Sequence, residues 1–327
     1  MRSPSLLSVA GLLVAISLSA CRPSAVDPSA LAVVDSPWVL TWQDEFDGPG
    51  VDTTKWGFDL GNDIVDDTGF VLATGWGNNE LQCYTRDRRN VFVRNGMLRI
   101  RARASSVPEC PFTSARLKTR ARDGRALFAQ RYGRFEFRAK LPRGRGLWPA
   151  LWMLPQDDRY GSWAASGEID VMEARGQSPD SIFGTLHYGA SAPKNVASGE
   201  QFRFPPGEDF TDFHLYAVEW EPGRVRWFID DVAYQTQTFW WSTSARDDWR
   251  GRTPRDSSEL HDWPAPFDQP FYLLINLAVG GNFIGNPDRT TRFPGEMQVD
   301  FVRVYQRRNG EGPLWPRGPG AYPFPSR

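Results

Sequence analysis

Short stretches in which apolar and polar residues alternate recur along most of this 327-residue chain. They stop at Gly, Pro, Asn or Asp, residues that favour turns. Such alternation is typical of half-buried antiparallel strands, because successive side chains of a strand point to opposite faces of a sheet. The clearest examples are residues 97–102, 133–141, 215–220, 225–229, 271–277 and 299–305.

Helical periodicity is scarce between these stretches. Many strands without intervening helices predict an all-β fold of two stacked antiparallel sheets, a β-sandwich or jelly roll. Asp230 and Asp231 stand between two such strands and predict a tight hairpin turn. The chain contains no internal repeat with a period of about 20–50 residues, and we expect a single domain.

The composition narrows the range of functions. Apolar residues make up 40% of the chain and charged residues 24%, with a net charge of −1. This is ordinary globular composition, and the balanced charge argues against a nucleic-acid partner. The chain also contains 14 Trp, 21 Phe and 9 Tyr, which is a surplus of flat apolar rings beyond what a core usually needs.

The N-terminus has the pattern of a targeting segment. Arg2 precedes an apolar run over residues 6–18, which is too short for a transmembrane helix but suits a signal peptide spanning residues 1–20. The residues Leu-Ser-Ala-Cys that end at Cys21 resemble the bacterial lipoprotein box. We therefore expect an exported protein whose lipidated Cys21 anchors it to a membrane of a bacterial cell envelope. The alternative is an ordinary signal peptide followed by a chance cysteine.

The domain boundaries follow from composition. Residues 21–36 are rich in Ala, Ser, Pro and Val and predict a tether, while residues 308–327 form a Pro/Gly-rich tail. The folded domain is therefore expected over residues 37–307. Its cysteines, Cys83 and Cys110, would lie in an oxidising compartment, which favours a disulfide. Two free buried thiols are the alternative.

The most informative segment is GEIDVMEARG, residues 167–176. In an extended strand residues i and i+2 share a face, so Glu168 and Asp170 point the same way while Ile169 points into the core. Glu173 would fall on the apolar face if this alternation continued. A β-bulge at residues 171–172 would return Glu173 to the side of the other two acids, and we predict that bulge.

Three acids on one face of a strand crowd their charges. Such crowding raises the pKa of at least one carboxyl group, as a general acid that works near neutral pH requires. A bare pattern of this kind also fits a solvated edge strand with ordinary surface acids. The flanking motifs favour a catalytic role for these acids over a solvated edge strand.

Several motifs in the same order resemble glycoside hydrolase family 16, specifically its laminarinase-like endo-β-1,3-glucanases. They lie at residues 75–82, 132–136, 148–154, 167–176, 184–188, 266–271, 276–282 and 299–305. The resemblance covers roughly residues 37–306 and implies a jelly roll of two curved sheets with an open concave cleft.

The resemblance also implies a retaining mechanism. Glu168 matches the nucleophile, Glu173 matches the general acid/base, and Asp170 matches the acid between them that tunes the nucleophile. The two glutamate Cα atoms would be ~13 Å apart along a bulged strand, whereas retaining pairs hold their carboxyl groups ~5 Å apart. Curvature of the sheet and long side chains would have to close that gap.

The implied activity is hydrolysis of internal β-1,3 bonds in laminarin-like β-glucans. The extra Met172 favours the laminarinase-like branch over the lichenase-like branch, which has the shorter spacing. A β-1,3-1,4-glucanase or a galactanase would use the same fold. A non-catalytic carbohydrate-binding module or lectin is a further alternative, against which the presence of all three acids argues.

Substrate contacts follow from the rings and from the resemblance. Trp148, Trp152 and Trp163 are the candidate stacking platforms, with a core position as the alternative for Trp152, and Trp148 beside Pro149 is expected to be the less buried of the two. Further candidates are the hydroxyl-binding Asn79 and Glu80, His187 beside the acid/base or the neighbouring subsite, and Arg116 near the cleft. A purely structural role is the alternative for His187.

Members of this family often carry one calcium ion away from the chemistry, held by oxygen ligands. The matching positions are Glu45, the Gly96 carbonyl and Asp300, although Asp300 would equally serve as the partner of an arginine. No motif suggests a catalytic metal, a nucleotide or a redox cofactor. We expect a monomer whose partners are a β-glucan and, through the lipid alone, a membrane.

Overall fold

The computed structural model describes residues 36–65, 68–244 and 259–320. The expected signal peptide, Cys21 and all of the tether except its last residue lie outside these described residues. A compact unit begins at Pro37. No helix among the described residues is long and apolar enough to span a bilayer.

The described residues contain nineteen strands and no α-helix. The strands are β1 (Trp38–Asp44), β2 (Gly57–Asp59), β3 (Asp63–Val65), β4 (Val71–Thr74), β5 (Gln82–Tyr84), β6 (Val91–Val93), β7 (Leu98–Val107), β8 (Cys110–Ser114), β9 (Arg116–Lys118), β10 (Gly133–Lys140), β11 (Leu147–Pro155), β12 (Glu168–Ala174), β13 (Ser181–Gly189), β14 (Asn195–Arg203), β15 (His214–Glu221), β16 (Arg224–Ile229), β17 (Val232–Gln237), β18 (Phe271–Val279) and β19 (Gly295–Arg307). A 3-10 turn at Gly75–Gly77 follows β4.

These strands form two large sheets. The ten-stranded sheet runs β17-β16-β15-β10-β19-β7-β8-β5, with β1 beside β19 and β6 beside β7, and the seven-stranded sheet runs β14-β13-β12-β11-β18-β9-β2. Neighbouring strands are antiparallel except for the parallel pair β5–β8. Strands β3 and β4 form a separate ribbon. The predicted all-β jelly roll is confirmed.

Each stretch predicted from alternation lies on a strand, from β7 to β19. The hairpin between β16 and β17 is also confirmed, because Ile229 pairs with Val232 across a two-residue turn. Asp230 and Asp231 both have positive φ, 47° and 65°, as the favoured two-residue hairpin turn requires.

The two sheets pack face to face over one apolar core. Trp227 of β16 crosses this core and donates a hydrogen bond from Nε1 to the main-chain oxygen of Asp170, at 2.8 Å. It lies against Gly184 of β13, where an added Cβ atom would come within 2.5 Å of the indole ring. The ten-stranded sheet thus contacts the backbone of β12, the strand that carries Asp170, across the core.

Two further features hold the edges of the domain in place: a disulfide and the segment after β19. Cys83 of β5 and Cys110 of β8 form a disulfide. After β19 ends at Arg307, the chain continues along the domain without regular structure: Trp315 N–H donates to the Pro222 carbonyl, and Gly318 N–H donates to the Thr238 carbonyl. The contacts of the domain therefore extend beyond the boundary expected from composition, at least to Gly318.

The contact between Trp227 and Gly184 leads to a prediction about stability. Gly184→Ala would force a methyl group against the Trp227 ring and the Tyr234 hydroxyl, so we expect it to lower the free energy of unfolding by about 1–3 kcal/mol. Denaturant unfolding of the purified variant measures this loss. Gly50→Ala is the matched control, because an added Cβ at Gly50 has no neighbour within 4 Å in the described part of the chain. Equal stability of the two variants would contradict the prediction.

Candidate active site

The acidic strand β12 contains the predicted bulge. Glu173 pairs with Ala150 of β11 and Asp170 pairs with Trp152, so one extra residue of β12 lies between the two pairs. The pairing of β12 with β13 shifts at the same place. Val171 and Met172 are consequently both buried in the core, while the alternation on the other face resumes at Glu173.

The carboxylates of Glu168 and Asp170 meet the imidazole of His187, which is the cross-strand partner of Glu168 on β13. His187 Nε2 lies 3.2 Å from Asp170 Oδ2 and 3.8 Å from Glu168 Oε1. The contact expected for His187 is therefore with these two acids rather than with Glu173. Trp163 completes the group, since its Nε1 donates to Glu168 Oε2 at 2.6 Å.

This cluster holds protons tightly. Burial and the charges of Glu168 and Glu173 raise the pKa of Asp170 well above its usual value. Burial opposes the charged form of His187, but the contact with Asp170 and the nearby carboxylate charges outweigh it and raise the pKa of His187 to about 10. An imidazolium is therefore present at neutral pH and offsets part of the carboxylate charge.

The ligand atoms of Glu168, Asp170 and His187 lie within 4.8 Å of one another. Within the described ranges, these three residues form the group of acidic, histidine or cysteine side chains that lie close enough together to surround an ion. In the structure the His187 ring lies against both carboxylates, so the protein itself places a cationic group at this position.

Glu173 has a different environment from Glu168. The Nε1 of Trp148 donates to its Oε1 at 2.9 Å. Burial raises the pKa of Glu173 to about 7, with further upward contributions from the charges of Glu168 and Glu80; His187 and the Trp148 hydrogen bond act in the opposite direction. Near neutral pH this carboxyl group is divided between its protonated and ionised forms, which suits a group that both gives and takes a proton.

The predicted tryptophan platforms differ in exposure. Trp163 is 42% exposed and Trp148 only 9%. The expectation that Trp148 is little buried is wrong: its ring packs on Phe283, with centroids 5.2 Å apart, and on Ala278 and Ile284. Trp152 is half-buried on the outer face of the seven-stranded sheet. Trp163 and Trp152 therefore remain the available stacking surfaces.

Arg116 lies on β9, farther across the same face. Its guanidinium stacks over the Trp76 ring at 3.8 Å from the centroid and lies 5.6 Å from the Trp152 ring. Its Nε donates to Asp59 Oδ2 at 2.6 Å. Arg116 therefore holds aromatic rings in place by cation–π contact, as well as lying near the predicted cleft.

The predicted hydroxyl-binding residues fall into two environments. Asn79 is exposed, and its Nδ2 donates to Asn282 Oδ1 at 2.8 Å. Glu80 is only 7% exposed, and burial raises its pKa although Arg116 and three hydrogen bonds oppose the rise. Asn79 and Glu80 are adjacent in the sequence, but the sequence does not reveal that the carboxylate of Glu80 is buried.

The predicted calcium ligands are engaged by arginines. Glu45 accepts two hydrogen bonds from Arg303, at 2.7 and 2.9 Å, and Asp300 accepts one from Arg138 at 2.5 Å. The arginine partner considered for Asp300 is therefore present. A calcium ion at this place would have to replace the arginine that now contacts each carboxylate.

Three buried polar residues near Glu80 had no role in the sequence analysis. Gln82, Tyr84 and Asn276 lie within or beside the motifs at residues 75–82 and 276–282, yet the motifs do not specify what they contact. In the structure Gln82 and Tyr84 donate to Glu80, and Asn276 donates to Tyr84. Their polar character within otherwise apolar strands was the available signal.

A jelly roll that carries crowded carboxylates on one outer sheet face, beside the exposed Trp163 and the half-buried Trp152, has the site of a jelly-roll glycoside hydrolase. The chain belongs to glycosyl hydrolases family 16, whose family model matches residues 78–245.

Comparison with individual proteins agrees with this assignment. A glucan endo-1,3-beta-glucosidase A1 from Niallia circulans is 45% identical over 275 residues, covering 82% of this chain and 38% of the relative. A beta-glucanase from Rhodothermus marinus is 44% identical, covering 82% of this chain and 85% of the relative. The chain thus spans well under half of the first relative and most of the second.

Solved structures give the same result. The laminarinase catalytic domain from Thermotoga maritima is 37% identical, with a TM-score of 0.67, and the match covers 82% of this chain and 98% of that one. The laminarinase from Rhodothermus marinus is 41% identical, with a TM-score of 0.65, over 82% of this chain and 97% of that one.

The hydrogen bond between Trp148 and Glu173 generates a titration prediction. Trp148→Phe removes the N–H group that stabilises the charged form, so the pKa of Glu173 should rise further above about 7. A carbon-13 NMR titration of the glutamate carboxyl groups measures it. Trp152→Phe is the control, because the Trp152 indole donates to Asn276 instead. A pKa of Glu173 that stays unchanged or falls would contradict this cause.

Proposed function

We propose that the protein is a retaining endo-β-1,3-glucanase that hydrolyses internal bonds of laminarin-like glucans. The observation that carries the proposal is the bulge in β12, which puts Glu168, Asp170 and Glu173 on one sheet face in a family 16 chain. The names of the relatives support the linkage, since the Niallia circulans protein is a glucan endo-1,3-beta-glucosidase.

In the first step Glu168 would attack the anomeric carbon while Glu173 protonates the departing glycosidic oxygen. The two residues differ in the way these roles require. Glu168 lies 3.8 Å from His187 Nε2 and accepts a hydrogen bond from the Trp163 indole N–H. Glu173, with a pKa of about 7, retains a proton on a large fraction of molecules at neutral pH.

In the second step water would release the sugar from Glu168, with Glu173 now acting as the base. Asp170 and His187 would position Glu168 and limit the accumulation of negative charge beside it. The distance of 3.2 Å between His187 Nε2 and Asp170 Oδ2 supports this assignment, because a close buried contact beside the nucleophile restricts how far its neighbours can move.

For substrate binding we assign Trp163 and Trp152 to stacking on sugar rings, and Asn79 and Glu80 to hydroxyl groups. The 42% exposure of Trp163 and its hydrogen bond to Glu168 support a sugar position beside the nucleophile. Trp148 is assigned to Glu173 rather than to sugar stacking.

Export and lipid attachment at Cys21 also remain part of the proposal. Their support is the sequence pattern of residues 1–21, since these residues lie outside the described ones. The lipid on Cys21 would hold the domain on a membrane of the bacterial envelope and expose it to an external polysaccharide. The expected monomeric state remains a prediction.

Loss of the nucleophile tests the function. Glu168→Gln should lower kcat on laminarin by about a thousandfold or more, whereas Glu208→Gln, at an exposed site, should leave it unchanged. Products from laminarin, lichenan, carrageenan and agarose should be assayed by NMR, with laminarin cleaved best and the β-configuration retained. Cleavage of a galactan instead, binding without turnover, or inverted products would contradict the proposal.

The calcium ion implied by the resemblance remains a prediction with its own test. If the ion binds at Glu45, Gly96 and Asp300, calcium should raise the Tm of EDTA-treated protein, and Asp300→Asn should abolish that rise. Differential scanning calorimetry with and without calcium measures both. A Tm that ignores calcium would instead support the Arg303 and Arg138 ion pairs as the permanent partners of these carboxylates.

A further inference from the structure

A chain of buried hydrogen bonds connects the face of β11 to Glu80. Trp152 Nε1 donates to Asn276 Oδ1 at 2.7 Å, Asn276 Nδ2 donates to the Tyr84 hydroxyl at 3.1 Å, and that hydroxyl donates to Glu80 Oε2 at 3.2 Å. Tyr84 is 1% exposed and Asn276 is 5% exposed.

The direction of every hydrogen bond in this chain is determined by chemistry. An indole N–H can only donate, so Asn276 must present its oxygen to Trp152 and its amino group to Tyr84. The single proton of the Tyr84 hydroxyl is then left for Glu80. Burial and the neighbouring Glu80 carboxylate raise the pKa of Tyr84 well above its usual value, so this hydroxyl keeps its proton.

A second donor reaches Glu80 by the same logic. The main-chain N–H of Val279 donates to Gln82 Oε1 at 2.7 Å, which fixes the amide so that Gln82 Nε2 donates to Glu80 Oε2 at 2.6 Å. A carboxylate that receives donors from fixed directions is favoured in its ionised, acceptor-only form. These donors therefore oppose the effect of burial, which favours a neutral Glu80.

One acceptor position of Glu80 remains available. A carboxylate offers about four lone-pair positions, and among the described residues Glu80 accepts three hydrogen bonds, two on Oε2 and one from Asn78 on Oε1 at 3.3 Å. The oxygen with the fewer contacts is the one beside the exposed loop residues. It is therefore the oxygen that a sugar hydroxyl would reach.

We propose that Tyr84 is a positioning residue for substrate binding: its hydroxyl links the Trp152 stacking platform to Glu80 and holds Glu80 as an oriented acceptor for a glucan hydroxyl. The inference rests on the proposed function, because it assigns Glu80 to the substrate. Tyr84 itself contacts neither the reacting acids nor the scissile bond, so its effect should be on binding and not on the chemical step.

The strand that carries Tyr84 is suited to this role. Strand β5 has only three residues, and its middle residue Cys83 is bonded to Cys110 between the two side chains that donate to Glu80. The disulfide and the pairing with β8 hold this short strand at the edge of its sheet. Gln82 and Tyr84 are thereby kept in position from outside the site.

The test is the kinetics of Tyr84→Phe on laminarin. We expect KM to rise about tenfold, as expected for a lost hydrogen bond to a charged group, while kcat changes less than about twofold. Tyr216→Phe is the matched control, because the Tyr216 hydroxyl is buried and has no hydrogen-bond partner among the residues that the structure describes; its KM should equal that of the wild type. An unchanged KM for Tyr84→Phe, or a fall in kcat alone, would overturn the inference.

A second variant separates positioning from a merely structural role. Asn276→Ala breaks the same chain at the next residue, so it should also raise KM, and the double variant should raise KM little more than either single variant, since the two share one interaction. Independent, multiplying effects would overturn the link. A wild type that does not cleave laminarin would contradict the proposed function itself, a result distinguishable from an active enzyme indifferent to Tyr84→Phe.

Discussion

The site depends on one irregularity in one strand. If β12 kept a two-residue alternation, Glu173 would point into the apolar core, where an isolated carboxylate is very unfavourable. The bulge buries Val171 and Met172 together and returns Glu173 to the outer face. Bulges are over-represented beside active sites, where they redirect a side chain. Here the redirected group is Glu173, the proposed general acid/base.

The crowded negative charge on this face is offset locally. His187 lies against Glu168 and Asp170, and Arg116 lies against Asp59 farther across the sheet. The indole N–H groups of Trp163 and Trp148 each serve a different glutamate. Two chemically identical side chains thus have different environments, as the proposed roles of a nucleophile and an acid on one strand require.

Much of the fold could be predicted because its determinants are local. Alternation and turn residues defined the strands, and the bulge followed from the requirement that Glu173 avoid the core. Features that depend on distant segments were not available in the same way. The burial of Trp148 requires Phe283, 135 positions later, and Tyr84 meets Asn276 across a sequence separation of 192 residues. The arginine partners of Glu45 and Asp300 likewise come from other strands.

The segment after β19 has a practical consequence for anyone who shortens or fuses this protein. Trp315 covers the Arg224 guanidinium at 3.6 Å from the ring centroid, and its carbonyl accepts the indole N–H of Trp263 at 2.8 Å. A truncation at Arg307 would uncover apolar rings and remove the acceptor of the partly buried Trp263 indole N–H, which favours aggregation on expression. Tags and partner domains are better joined after Gly320, where the regular strands and their irregular cover are both intact.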